Sequence, residues 1–310
     1  MSNASGPRGE TGNAGRKNVT VHERTPNWRR PPKPRPGAPN VVCVVLDDLG
    51  FAQLGCYGAS VATPTIDRLA RQGLRYSNFH VTAMCSPTRA CLLTGRNHHA
   101  AGVGYLANFD TGFDNARGAI GPDCATLGEM LEDAGYGTYA VGKWHLTPPS
   151  HMRLVGPFDH WPTRRGFHRW YGFLTGEEDQ YAPEMYYDQH HEPLPARENY
   201  HMSEDLVDRA QEFLSDHISS TPDRPFFLYL AFGATHAPHQ VPEPYRSKYR
   251  GAFDHGWDEE RTRIIERQKA LGIVPETTEL APRNPDVRAW NSLSPAAHRL
   301  LTRMQEVYAG

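Results

Sequence analysis

Uninterrupted apolar runs predict three strands, and each is followed directly by polar residues. The run Val41–Leu46 is β-branched and does not alternate with polar residues, which predicts a strand covered on both faces. Further strands are predicted over 136–141 and 225–232. In open α/β sheets, functional sites form at the carboxyl ends of the strands. The polar segments expected at that edge are Asp47-Asp48, Gly142-Lys143-Trp144-His145 and Gly233-Ala234-Thr235-His236.

Capping residues and helical periodicity predict helices between and after the strands. Thr63 and Pro64 fit an N-cap and first helical position, and Gly73 fits the end of the same helix. Thr126, followed by Glu129, forms a capping box for a second helix. The alternation predicts an α/β fold, a large mostly parallel sheet with helices on both faces. Two more helices are predicted to begin near Ser203 and at Ser294-Pro295.

The remaining segments suggest how the chain is organised. Residues 1–38 are rich in Gly, Pro, Asn and Arg, which predicts a disordered tail before a catalytic domain over 39–310. Weak periodicity predicts long loops over 150–200 and 240–290. The apolar stripe of the last helix (Leu300, Leu301, Met304, Val307) runs almost to Gly310, so we expect a truncated, N-terminal portion of a larger domain.

Composition excludes some classes of partner. The 310 residues carry 33 basic and 35 acidic groups, a balance that gives no electrostatic case for nucleic acid or an anionic membrane. The longest apolar run falls far short of the ~20 residues that span a bilayer. The first residues lack the apolar core of a secretory signal, so we expect a cytoplasmic protein. Five cysteines without a CxxC pair indicate neither a zinc site nor a disulfide framework.

The segment Cys85-Ser86-Pro87-Thr88-Arg89-Ala90-Cys91-Leu92-Leu93-Thr94-Gly95-Arg96 carries the strongest chemical signal. Pro87 favours the first turn of a helix, which would place Cys85 at an N-terminus that favours an anion. Arg89 lies one turn further on and can face the same space. Such a site suits sulfate or phosphate.

This segment resembles the C-x-P-x-R…L-L-T-G-R signature of type I sulfatases (arylsulfatases). The resemblance implies an alkaline-phosphatase-like sulfatase fold and an enzyme that hydrolyses small-molecule sulfate monoesters. It also implies that a formylglycine-generating enzyme oxidises Cys85 to formylglycine (3-oxoalanine), and that Arg89 supports this residue. One hydroxyl of the hydrated aldehyde would attack sulfur, and the other would drive sulfate release, a case of nucleophilic catalysis.

Further residues acquire roles from the same resemblance. Without its context, the pair Asp47-Asp48 could as well be a turn or a helix N-cap as a metal site. In the family, however, such a pair binds a divalent cation together with residue 85. We expect Ca²⁺, with Mg²⁺ as the alternative, because both prefer oxygen ligands. The segment around Lys143 and His145 resembles the family's G-K-W-H-L, with Lys143 on a sulfate oxygen and His145 as the base. His236 matches a sulfate-binding histidine, for which His239 is a competing candidate.

The chain also departs from the family pattern. The family's second metal segment, an Asp-Asn pair after another strand, is not found, and neither is a later sulfate-binding lysine; Asp114-Asn115 lies too early. We therefore expect these 310 residues alone to be inactive. Three hypotheses stay open: a sulfatase, a phosphonate monoester or phosphodiester hydrolase of the same fold, and a non-catalytic remnant. A cysteine hydrolase explains neither the Asp pair nor the Pro87-x-Arg89 spacing, and no G-x-G-x-x-G indicates a dinucleotide site.

Overall fold

The computed structural model describes residues 32–310, and a six-stranded sheet lies at its centre. The strands are β1 (Val41–Val45), β2 (Gly137–Lys143), β3 (Arg169–Phe173), β4 (Met185–Tyr187), β5 (His190–Glu192) and β6 (Phe226–Ala231). Their order is β1-β6-β2-β3-β4-β5. The first four strands in that order are parallel, and β4 and β5 are antiparallel additions. The predicted mostly parallel sheet is confirmed.

The helices begin and end largely where the capping residues predict. Gly73 caps the first helix, and Thr126 and Glu129 form the capping box of the third. Ser294 accepts a hydrogen bond from the Ala297 N–H at the start of the last. The helices are α1 (Pro64–Gln72), α2 (Cys85–Thr94), α3 (Leu127–Asp133), α4 (Met202–Ser220), α5 (Tyr245–Lys248), α6 (Gly256–Ala270) and α7 (Pro295–Ala309).

Alternate residues of β6 pack into two separate cores. Phe227 and Tyr229 lie in the cluster that includes Leu93 of α2. Leu228 lies in the other cluster, with Leu206 of α4. Because successive side chains of a strand point to opposite faces of the sheet, α2 and α4 cover opposite faces, as predicted.

Strand β1 differs from its prediction. It pairs with β6 alone and forms one edge of the sheet within residues 32–310. Val42 and Val44 are 52% and 55% exposed, so the expectation of a strand covered on both faces was wrong. An apolar β-branched run indicates that a strand can be buried on both faces. It does not indicate whether other elements pack against both of those faces.

The two segments predicted as loops contain regular structure. Strands β3, β4 and β5 lie within 150–200, and helices α5 and α6 lie within 240–290. Nearly all of β3 is buried, which removes the alternation that marks a strand in sequence. Helix α6 carries charged residues around most of its circumference, so its apolar period is weak.

Other expectations fall partly outside the described residues. The predicted tail covers 1–38, of which the structure describes only 32–38. Across residues 32–310, no helix has the length and apolar character needed to cross a bilayer. All five cysteines of the sequence are free thiols in the structure.

Candidate active site

The segments after β1, β2 and β6 meet at one edge of the sheet, because these three strands are neighbours and run in parallel. The Thr235 N–H donates to the Asp47 carbonyl over 2.8 Å, which joins the segment after β6 to the segment after β1. The Lys143 ammonium, at the end of β2, donates to the Asp47 carboxylate. The predicted gathering of polar groups at this edge is present.

Residue 85 lies at the start of α2, with Met84 as the N-cap residue. The sulfur of Cys85 is 3.0 Å from Nδ1 of His145. Cys85 is partly exposed and lines a cavity of about 1210 Å³, together with Asp47, Asp48 and Arg89. A reactive side chain at this position is therefore accessible to a ligand, and the start of a helix favours an anion.

A buried charge cluster lies behind residue 85. Arg89 donates from Nη1 to the Lys143 carbonyl over 2.7 Å and to the Tyr229 hydroxyl over 3.2 Å. Its Nη2 lies 3.6 Å from Oδ1 of Asp47. Burial, and then the charge of Arg89, lower the pKa of Lys143. The cluster brings two basic groups to one carboxylate, an excess of positive character that suits an anion.

His145 lies between residue 85 and a loop residue. Its ring is buried, and Nε2 is 2.6 Å from Oδ1 of Asn108. Burial, followed by the charges of Lys143 and Arg89, lowers the pKa of His145 from 6.5 to about 3. The imidazole is therefore neutral at neutral pH and can accept a proton. Sequence reasoning missed Asn108, which has no motif around it.

The two candidate histidines after β6 lie in different surroundings. Nε2 of His236 lies 3.4 Å from Oδ2 of Asp48, and its Nδ1 lies 3.6 Å from Oε2 of Glu177. His239 instead packs against the Tyr308 ring, with 5.3 Å between ring centroids. His236 is thus the histidine at the Asp47-Asp48 turn, and Glu177 is a neighbour that the sequence did not reveal.

The donors for a cation form only part of a site. Asp47 and Asp48 supply carboxylate oxygens, the donor type that Ca²⁺ and Mg²⁺ prefer. Within residues 32–310, however, no group of three or more His, Cys, Asp or Glu side chains is arranged to hold a metal ion. Asp47 accepts from Lys143, and Asp48 faces His236. The donor chemistry fits a divalent cation, but further ligands would have to complete the shell.

Comparison with known proteins gives consistent results. The family model named Sulfatase matches residues 39–307. An uncharacterized sulfatase of Schizosaccharomyces pombe is 33% identical over 296 residues, which cover 87% of this chain and 51% of that protein. An arylsulfatase of Klebsiella aerogenes is 29% identical over 284 residues, 87% of this chain and 58% of the relative.

The fold also has a solved counterpart. A putative sulfatase, yidJ, from Bacteroides fragilis superposes with a TM-score of 0.59 at 22% identity, covering 78% of this chain and 60% of that chain. The chain spans about half the length of the first two relatives, at 51% and 58%.

Proposed function

Because the chain belongs to the sulfatase family, we propose that it is the nucleophile-bearing part of a hydrolase that cleaves sulfate monoesters. The predicted family and its α/β fold are confirmed. The observation that carries the proposal is the contact of 3.0 Å between the side chain of residue 85 and His145, beside the buried Lys143–Asp47–Arg89 cluster. This arrangement supports residue 85 as the nucleophile, His145 as the base and the charge cluster as the anion site.

The proposed nucleophile is formylglycine at position 85, made by a formylglycine-generating enzyme acting on Cys85. This group supplies a hydrated aldehyde, in which one hydroxyl serves as nucleophile and the other allows sulfate release. The position suits it because residue 85 is partly exposed, starts a helix and faces His145. His145 would accept a proton at Nδ1, as a general base does.

The remaining residues would bind the sulfate ester. Lys143 uses one of its three N–H donors on Asp47, and another would bind a sulfate oxygen. Arg89 would hold the side chain of residue 85 in place and add positive electrostatic potential from the buried side of the site. His236 would donate to the oxygen of the departing alcohol, because its ring is partly exposed at the edge of the site.

A divalent cation would complete the electrostatics. Asp47, Asp48 and the oxidised side chain of residue 85 would hold it, with Ca²⁺ as the first choice and Mg²⁺ as the alternative. Such an ion would offset the negative charge of the ester. The expected cytoplasmic location, the boundary at residue 39 and the inactivity of these 310 residues alone stay predictions.

The proposal is tested by co-expressing the chain with a formylglycine-generating enzyme. Mass spectrometry of the peptide with residue 85 should show the thiol replaced by an aldehyde. The modified protein should bind sulfate, and hydrolysis is then measured with p-nitrophenyl sulfate and with phosphonate and phosphodiester analogues. Preference for a phosphorus ester would favour the second hypothesis. Unmodified cysteine, together with no sulfate binding, would contradict the proposal and favour a remnant.

A further inference from the structure

The side chain of Asn108 contacts His145 on the side of the ring away from residue 85. Oδ1 of Asn108 is 2.6 Å from Nε2, while the sulfur of Cys85 is 3.0 Å from Nδ1. A neutral imidazole carries one N–H, so the partner at one nitrogen decides what the other nitrogen can do. An oxygen acceptor at Nε2 favours the hydrogen there, and the lone pair of Nδ1 is then directed at residue 85.

The surroundings of His145 make this a choice between two neutral forms. The ring is only 2% exposed, and the side chains of Lys143 and Arg89 approach the same space. Without a partner at Nε2, the hydrogen could reside on either nitrogen, and one of the two forms could accept no proton from residue 85.

The backbone next to Asn108 is tied to the helix that carries residue 85. The Ala107 N–H donates over 3.0 Å to the hydroxyl of Ser86, the second residue of α2. Ala107 and Ser86 are both fully buried. A methyl group on Gly118 would come within 2.6 Å of the Ala107 carbonyl, so the chain is closely packed there. The first turn of α2 therefore carries residue 85 and also binds the backbone next to Asn108.

We infer that Asn108 is a positioning residue that holds His145 in the Nε2–H tautomer, with Ser86 anchoring its loop. In this tautomer the lone pair of Nδ1 accepts a hydrogen bond from the side chain of residue 85, and no ring hydrogen at Nδ1 blocks a proton transfer from that side chain. The catalytic meaning of this transfer rests on the proposed function. The tautomer itself does not, because the contacts are those of the protein with cysteine at position 85.

The inference is tested by ¹⁵N NMR on protein labelled at histidine, with Cys85 unmodified and at neutral pH. The ¹⁵N shifts show which ring nitrogen carries the hydrogen, and a His145→Gln variant identifies the signal among the 16 histidines. We expect a single Nε2–H form in the wild type, a mixture in Asn108→Ala, and recovery of the single form in Asn108→Asp, which keeps an oxygen acceptor. Asn115→Ala, in the same loop region, is the matched control and should equal the wild type.

The outcomes separate the inference from the proposed function. An Nδ1–H form in the wild type, or an unchanged His145 signal in Asn108→Ala, overturns the inference whatever the enzyme does. The single Nε2–H form in a protein whose Cys85 stays unmodified after co-expression and which binds no sulfate contradicts the proposed function alone. In a modified protein that does hydrolyse, Asn108→Ala should lower kcat at least roughly tenfold with KM little changed, and Asn108→Asp should restore part of it. Circular dichroism and thermal unfolding verify that each variant folds.

Discussion

The two halves of the site differ in how firmly the protein holds them. The buried half consists of Asp47, Arg89, Lys143 and His145, none of them more than 5% exposed. The open half consists of Asp48, Glu177 and His236, whose side chains are 59%, 64% and 23% exposed. Charges in the buried half interact strongly because water is excluded, whereas those in the open half are screened. The buried half is therefore pre-arranged, and the open half is where an incoming ligand can change the geometry.

The largest effect is expected at Cys85, which lies where the two halves face the cavity. Cys85→Ala removes both the substrate of the modification and the nucleophile, so the aldehyde should be absent and any hydrolysis shown by the modified wild type should fall by roughly 10⁴-fold or more. The measurement is p-nitrophenyl sulfate turnover alongside mass spectrometry of residue 85. Cys91→Ala, in the same helix, is the control and should keep the aldehyde. Turnover that survives Cys85→Ala would refute the role of residue 85.

The comparison is sharpest for the adjacent carboxylates Asp47 and Asp48. Asp47→Asn leaves Lys143 and Arg89 buried without their counter-charge, which should cost about 3–5 kcal/mol in the free energy of unfolding. Asp48→Asn removes an exposed group and should cost at most about 1 kcal/mol. Denaturant unfolding without added metal measures both. Equal losses would mean that the two halves do not differ in rigidity.

The pH dependence of stability tests the buried half alone. The pKa of His145 is lowered from 6.5 to about 3 by burial and by its cationic neighbours. Between these values the unfolded chain binds the proton and the folded chain does not, so stability falls as the pH drops through this window. Between pH 6.5 and 4.5 His145 should contribute about 2–3 kcal/mol to this loss. His145→Gln should flatten this slope in unfolding experiments, and an unaltered slope would show that His145 is not its source.

The smallest effect is expected at Glu177 in the open half. Its carboxylate lies 3.6 Å from His236 and is mostly exposed, so Glu177→Gln should change the free energy of unfolding by less than about 1 kcal/mol. Added salt should weaken the wild-type interaction further. Unfolding at low and high ionic strength measures both effects. A loss as large as that expected for Asp47→Asn would remove the distinction between the halves.

The sequence was most informative where function and local structure share a short segment. The motif from Cys85 to Arg89 predicted both a helix start and an anion site, because one turn of helix fixes the spacing of these two residues. The side chains of Asn108 and Glu177 could not be predicted. Each reaches its histidine from a loop whose path depends on the folded chain, and neither contact leaves a periodic pattern.

Helix α7 shows a second limit of periodicity. Leu300 and Met304 of its apolar stripe are 61% and 49% exposed. The helix instead buries Thr302 and Glu306, and Glu306 accepts a hydrogen bond of 2.6 Å from the Gly251 N–H. A polar residue can occupy a buried position of a helix when its polar atoms have hydrogen-bond partners. Apolar periodicity in the sequence does not predict such a position.

Gly142 joins the strands that supply both halves of the site. It pairs with Ala231 of β6, and any side chain at this position would begin 1.9 Å from the Ala231 carbonyl oxygen, at a φ of +98°. A larger residue would act as a wedge between the strand ending in Lys143 and the strand leading to His236. The lack of a side chain at Gly142 therefore lets β2 and β6 approach closely, and with them Lys143, the next residue of the chain, and His236, which follows β6.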